Sequence, residues 1–302
     1  MSIGNERVLD GVLEEKIKTL KIESQGNFFI GTIWDFTAKK LFRRGIRAEI
    51  VSALDAFGVL IFKSMPLTHV EQLAFAQYLG TKLHRKTGVA AISENRYGDE
   101  ALTDVSNIAS KGRLLSANDR RRLYGLSNRL WHTDASFQNP PGRYSMLSAK
   151  VVPRQGGETD FADTRGAYYL LPQKIKRQIS DLRVHHSIAY SRQTLGFEFT
   201  SEESKLLKGA EQPLVKTNAN TQLKSLYIAS HCSSIPGMST PDARILIQDL
   251  IEHSTQSVLV HRHRWEKDDF VIWDNFATMH RGRIYDDLKD PRELVRVTTL
   301  EI

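Results

Sequence analysis

The chain has 302 residues, 40% hydrophobic and 25% charged, an ordinary globular composition that excludes a collagenous, low-complexity or wholly disordered protein. Its single cysteine, Cys232, excludes an intrachain disulfide and fits a reducing compartment. The net charge of +7 admits acidic small molecules, but the basic residues are scattered and no aromatic-interleaved basic stripe occurs, so nucleic acid is disfavoured as a partner.

The N-terminus lacks the apolar core of a leader, and no apolar run reaches the length of a membrane span, so a cytoplasmic protein is expected. Residues 1–29 read as a polar extension, with Val12, Leu13, Ile17 and Leu20 at helical spacing, and 30–302 as one domain. Residues 28–36 read as extended. Residues 46–57 read as a helix, with Ile46, Ile50, Val51, Leu54 and Phe57 on one face, stopped by Gly58 before a short buried strand at 59–62. Thr68 and Glu71 fit a capping box that opens a second helix, which Gly80 closes.

Residues 81–129 read as an irregular, basic loop of the length expected for a lid or substrate loop. It runs into Leu130-Trp131-His132-Thr133-Asp134-Ala135-Ser136-Phe137, read as a strand in which residues i and i+2 share a face. A further strand is expected at 144–152, Gly156-Gly157 turns the chain into Thr159-Asp160-Phe161-Ala162, and helices are expected after Asp163 or Thr164 and after Pro172. A mixed region with a polar insertion at 196–212 follows. Thr240-Pro241-Asp242 reads as a helix start with Thr240 as the cap. Strands at 258–265, 270–273 and 293–302 close the chain. Short strands outnumber helices around the candidate ligands. The expected fold class is mainly β with flanking helices, a cupin-like jelly-roll barrel. No Gly-rich phosphate loop is visible.

His132 and Asp134 can ligate one metal ion, with His280 as the candidate third ligand from a distant segment. Two histidines and a carboxylate on one octahedral face leave three positions open, as in non-haem Fe(II) oxygenases. A His-x-Asp pair alone is a weak signal, and His261-x-His263 is a competing pair that could bind zinc. Arg292 and Arg296, an even number apart in a strand-like segment, can present two guanidiniums to carboxylates. Nucleophilic catalysis has little support, because Cys232 has no local partner and no Gly-x-Ser-x-Gly elbow is present.

The chain resembles the TauD/TfdA group of Fe(II)- and 2-oxoglutarate-dependent dioxygenases, more on the 2,4-dichlorophenoxyacetate than the taurine side. The resemblance lies in Trp131-His132-Thr133-Asp134-Ala135-Ser136-Phe137-Gln138, Arg143-Tyr144-Ser145-Met146-Leu147-Ser148-Ala149 and Gly156-Gly157-Glu158-Thr159-Asp160-Phe161. It continues in Arg262-His263-Arg264-Trp265, Trp273-Asp274-Asn275, His280-Arg281-Gly282-Arg283 and Arg292-Glu293-Leu294-Val295-Arg296, and covers roughly residues 30–302. It implies a double-stranded β-helix fold, with His132, Asp134 and His280 as iron ligands. Thr159 and Arg292 would hold the distal carboxylate of 2-oxoglutarate. Arg296, Asn128 and His84 would face the substrate, and His261 and His263 become barrel-strand residues.

The implied activity couples decarboxylation of 2-oxoglutarate by O2, giving succinate and CO2, to hydroxylation or ether cleavage of a small anionic organic substrate. An aryloxyalkanoate, an amino acid or another organic acid would fit. The alternatives are the same chemistry on a methylated nucleic acid or other macromolecule, and a non-catalytic anion binder; a homo-oligomer is left open. The chain departs from the family pattern by one extra residue around 287–291, and residues 81–129 match weakly.

Overall fold

The computed structural model describes residues 20–24, 26, 28–85 and 96–301. Most of the helical pattern expected before residue 28 lies outside these residues. Its described end is instead a strand, β1 (Ile22–Ser24), paired antiparallel to β2 (Ile30–Ile33). The expected 46–57 helix is α1 (Ile46–Phe57), ended by Gly58 at φ 82°, and β3 (Val59–Phe62) follows. The next helix, α2 (His69–Leu79), has the expected capping box: Thr68 Oγ1 accepts from Glu71 N–H and the Glu71 carboxylate accepts from Thr68 N–H.

The protein is mainly β, with helices packed outside the sheets. Beyond β3 the strands are β4 (Thr103–Ser106), β5 (Gly142–Val151), β6 (Thr159–Asp163), β7 (Arg183–His186), β8 (Ala210–Pro213), β9 (Val215–Thr217), β10 (Lys224–Leu226), β11 (Cys232–Ser234), β12 (Val260–His263), β13 (Phe270–Asp274), β14 (Thr278–Gly282) and β15 (Glu293–Leu300). A seven-stranded sheet runs β1-β2-β3-β13-β5-β15-β4, and a three-stranded sheet runs β12-β6-β14.

Strand alternation sorts the large sheet into two faces. Leu60, Phe62, Phe270, Ile272, Val295 and Val297 pack with Leu54 of α1 and Phe75 of α2. Val59, Ile61, Val271, Trp273, Leu147 and Leu294 point the other way and pack with Phe161 of β6. Ser145 on β5 and Arg296 and Thr298 on β15 share that inner parity, which aims polar groups into the space between the sheets.

Three expectations are corrected. Residues 81–129 are not wholly irregular: β4 pairs antiparallel with β15 at the sheet edge, and α3 (Arg120–Gly125) is capped by Asp119. A four-residue, half-buried edge strand shows no clear hydrophobic alternation, so only its partner reveals it. The run through His132 is not a strand. His132 makes one antiparallel bridge to His280, and the chain then turns through Ala135 at φ 53°. The last long helix, α4 (Thr240–Ser254), is capped by Ser239 rather than Thr240, with Pro241 inside the first turn.

Candidate active site

His132 and His280 meet through the backbone. Each donates its N–H to the other's carbonyl, at 2.9 and 2.8 Å, and their rings lie 4.1 Å apart. His280 sits within β14, while His132 lies on the segment docked beside it. The His132 Nδ1–H donates to the Leu130 carbonyl at 2.8 Å, which fixes the tautomer and leaves the Nε2 lone pair free for a metal.

Asp134 is aimed by the turn and by Asn275. The Asn275 side-chain oxygen accepts from Asp134 N–H at 3.0 Å and from Trp273 Nε1–H at 3.1 Å; its amide donates to Ser145 Oγ at 2.9 Å. Ser145 Oγ–H donates to Asp134 Oδ2 at 2.7 Å, and Arg296 pairs with Asp134 Oδ1. Asp134 Oδ2 lies 3.7 Å from His280 Nε2.

One ligand atom from each of these buried residues lies within 4.8 Å of the other two, and among the described residues no other group of three His, Cys, Asp or Glu does so. Burial pushes His280 down to about 4 and His132 well below its ordinary value, so both rings are neutral, as ligands must be. Burial alone would raise the Asp134 carboxyl, but the Arg296 guanidinium beside it opposes this, and the carboxyl is held below the usual carboxylate range. Two neutral imidazoles and one carboxylate fit a divalent first-row metal.

Arg292 is 8% exposed and has no acidic partner among the described residues, and its Nε is buried without an acceptor. Burial lowers it to about 10, so it remains a cation at neutral pH. Asn107 Oδ1 accepts from its backbone N–H at 2.8 Å. Gly157, at φ +72°, runs against this guanidinium: a Cβ there would lie 3.3 Å from Arg292 Nε and 2.8 Å from Pro153 Cγ. Thr159 Oγ1 accepts from Trp265 Nε1–H at 2.9 Å, which leaves the threonine hydroxyl hydrogen to donate elsewhere. A buried cation without a counter-ion and a hydroxyl donor lining one cavity form a receptor for a carboxylate.

One cavity of about 270 Å³ is lined by all eight residues singled out in the sequence: His132, Asp134, His280, Thr159, Arg292, Arg296, Asn128 and His84. Arg296 pairs with the Asp134 carboxylate. His84 is pushed down to about 4 by burial and by Arg296, which leaves it neutral. The loop carrying the extra residue is held in place: Asp287 pairs with Arg122 at 2.7 Å, and Asn107 Nδ2–H donates to the carbonyls of Asp287 and Asp290. His261 and His263 lie away from the cavity on β12, with His263 Nε2 3.2 Å from Asp269.

Sequence reasoning missed four contributors. Ser145, Asn275 and Trp265 stand inside the motifs quoted above, yet only their hydrogen bonds show that they orient Asp134 and Thr159. His231 carries no sequence signal. It is buried beside the His132 ring at 6.0 Å, with Nε2–H donating to the Thr133 carbonyl at 2.9 Å.

Comparison with known proteins follows the same lines. The family described as "Taurine catabolism dioxygenase TauD, TfdA family" matches residues 22–298. The alpha-ketoglutarate-dependent 2,4-dichlorophenoxyacetate dioxygenase of Cupriavidus pinatubonensis is 38% identical over 256 residues, 84% of this chain and 88% of that protein. The (S)-phenoxypropionate/alpha-ketoglutarate-dioxygenase of Sphingobium herbicidovorans is 30% identical over 79% of this chain and 80% of that protein. The crystal structure of AAD-2 in complex with Mn(II) and N-oxalylglycine superposes with a TM-score of 0.89 at 39% identity, covering 94% of this chain and 98% of that one. The chain therefore belongs to the TauD/TfdA family and is an Fe(II)- and 2-oxoglutarate-dependent dioxygenase.

Proposed function

We propose that the enzyme hydroxylates, or oxidatively cleaves, a small carboxylate-bearing substrate of the aryloxyalkanoate type. The observation that carries this reading is a cavity holding the His132–Asp134–His280 group, Arg292 and Arg296 among its arginines, and an apolar lining from Leu115, Tyr124, Phe137 and Ile188. Relatives named for 2,4-dichlorophenoxyacetate and (S)-phenoxypropionate support that substrate class.

In this reading the three buried donors hold the iron. When bound, Fe(II) with 2-oxoglutarate and O2 supplies the decarboxylation that yields succinate and CO2 and delivers one oxygen atom to a substrate C–H bond. The chain's own residues do the rest. Arg292 and the Thr159 hydroxyl take the distal carboxylate of the co-substrate, and Trp265 keeps that hydroxyl turned toward it. Arg296 serves two acceptors, the Asp134 carboxylate and the substrate's anionic group, while Asn128 and His84 flank the substrate. The buried walls exclude water from the reacting atoms.

Residues 30–302 would form one domain built as a double-stranded β-helix. Its walls would be the seven-stranded sheet and the β12-β6-β14 sheet, with the preceding extension adding β1 at the edge. No described helix is long and apolar enough to cross a membrane; together with the buried Cys232 this supports the cytoplasm as its compartment. Succinate release, screened over 2,4-dichlorophenoxyacetate, phenoxypropionate enantiomers, sulfonates and amino acids, tests the substrate class. Stimulation by the aryloxyalkanoates supports it, and stimulation only by sulfonates or amino acids rejects it.

A further inference from the structure

Only two arginines of the described residues are less than a tenth exposed, Arg292 at 8% and Arg192 at 5%. Neither has a carboxylate within ion-pairing distance among the described residues, and both line the cavity. A desolvated guanidinium without a counter-ion is costly, and it persists where an anion completes it. Arg292 has such an anion in the co-substrate. Arg192 has none assigned.

Its direct partners are polar and neutral, although the charges of Arg296 and Asp134 reach it from farther off. Nη1–H donates to Ser191 Oγ at 2.9 Å, Nη2 lies 3.5 Å from Asn128 Oδ1, and the guanidinium stacks over the Tyr124 ring at 4.5 Å. Nε is buried without an acceptor. Arg192 lies in the last turn of the short helix from Ile188 to Gln193, and its neighbour Ser191 reaches His231 Nδ1 at 3.4 Å. The His231 ring in turn lies 6.0 Å from that of His132. The guanidinium thus stands one histidine away from the candidate metal ligand His132.

We infer that Arg192 is a second anion receptor of the cavity, one that takes a carboxylate, sulfonate or phosphate group of the substrate and fixes it beside Asn128. Arg296 already answers the Asp134 carboxylate, so Arg192 brings a whole unpaired charge to the substrate side. Tyr124 holds the guanidinium plane by cation–π contact, which pre-organises the fork for a planar anion. Leu115, Phe137 and Ile188 line the same cavity, so the fitting ligand joins an anionic head to an apolar body. The inference deepens the proposed function and rests on it only for the term "substrate".

The test is calorimetric and needs no turnover. Protein loaded with Mn(II) and 2-oxoglutarate is titrated with phenoxyacetate and hexanoate, each against its neutral amide. Wild type should bind at least one acid about tenfold or more tighter than its amide. In Arg192→Gln that preference should collapse to within about twofold, while 2-oxoglutarate affinity stays within about twofold of wild type. Arg192→Lys, which keeps the charge but not the fork, should fall between, and covers a folding failure of the glutamine variant. The inference is overturned if wild type shows no preference for either acid, if Arg192→Gln keeps the preference, or if it loses 2-oxoglutarate affinity instead. If wild type does not bind 2-oxoglutarate with Mn(II), the dioxygenase site assignment fails. The acid–amide comparison is then made on metal-free protein, where the Arg192 inference stands or falls separately.

Discussion

The two sides of the cavity are built differently. On one side, His280, Thr159 and Arg296 sit on or at the ends of the paired strands β14, β6 and β15, and Arg292 directly precedes β15. On the other side, His84, Leu115, Tyr124, Asn128 and Arg192 come from loops and helices of a few residues. Sheet register holds groups to fractions of an ångström, whereas loops can be exchanged without disturbing the ladder. On this account the sheets carry His280 and the co-substrate residues, a bridged segment beside β14 carries His132 and Asp134, and the loops carry substrate choice.

The largest effect should come from Arg292→Gln. Loss of a desolvated charge-assisted pair at about 1.5–3 kcal/mol per hydrogen bond should weaken 2-oxoglutarate binding on the order of a hundredfold. The substitution also removes an unpaired buried charge, so the ligand-free protein should melt no lower than wild type. A calorimetric Kd together with a thermal melt checks both; a lower Tm with intact affinity would place Arg292 among structural residues.

The buried histidines on both sides of the cavity should make the metal-free protein sensitive to acid. Burial holds His84 at about 4 and His231 at about 3, and places His186 well below its ordinary value of 6.5. Between 6.5 and about 4 the unfolded chain takes up protons that the folded chain refuses. Stability therefore falls as pH drops through that window and is regained as it rises. Denaturant midpoints of metal-free protein at pH 7 and 5 measure this. Equal midpoints would show that these rings are free to protonate in the folded state.

Two positioning residues sharpen the contrast on the strand side. Asn275→Ala removes the acceptor for Asp134 N–H and the donor to Ser145, and should weaken metal affinity about 10–100-fold, read by metal titration. If only stability falls and metal affinity is kept, Asn275 is scaffolding alone. Trp265→Phe removes the donor to Thr159 and should raise the Kd for 2-oxoglutarate about fivefold while sparing the metal, in keeping with about 1 kcal/mol for one hydrogen bond. The smallest effect on shared chemistry belongs to Phe137→Ala, which should change substrate-coupled succinate release yet leave 2-oxoglutarate affinity within about twofold.

This division also explains what could be read from the chain. The helices at 46–57 and 69–79 and the strand at 59–62 carry strong local signals: an apolar face, a capping box and a Gly stop. The ligand triad and both C-terminal arginines stood in recognisable text. The geometry joining His132 to Asp134 did not, because no i, i+2 rule describes a bridge followed by a turn through Ala135. The strand at 103–106 was hidden because its pairing with β15 is a property of distant residues. Arg192 and His231 were invisible for a different reason. A buried arginine and a buried histidine look like surface residues until tertiary packing removes their water.

The most direct measurement is the visible spectrum of anaerobic protein titrated with Fe(II) and then 2-oxoglutarate. A metal-to-ligand charge-transfer band should develop in wild type, persist in Arg192→Gln and be absent in His132→Ala. No band in wild type, or an undiminished band in His132→Ala, would contradict the assignment of His132, Asp134 and His280 as the iron site.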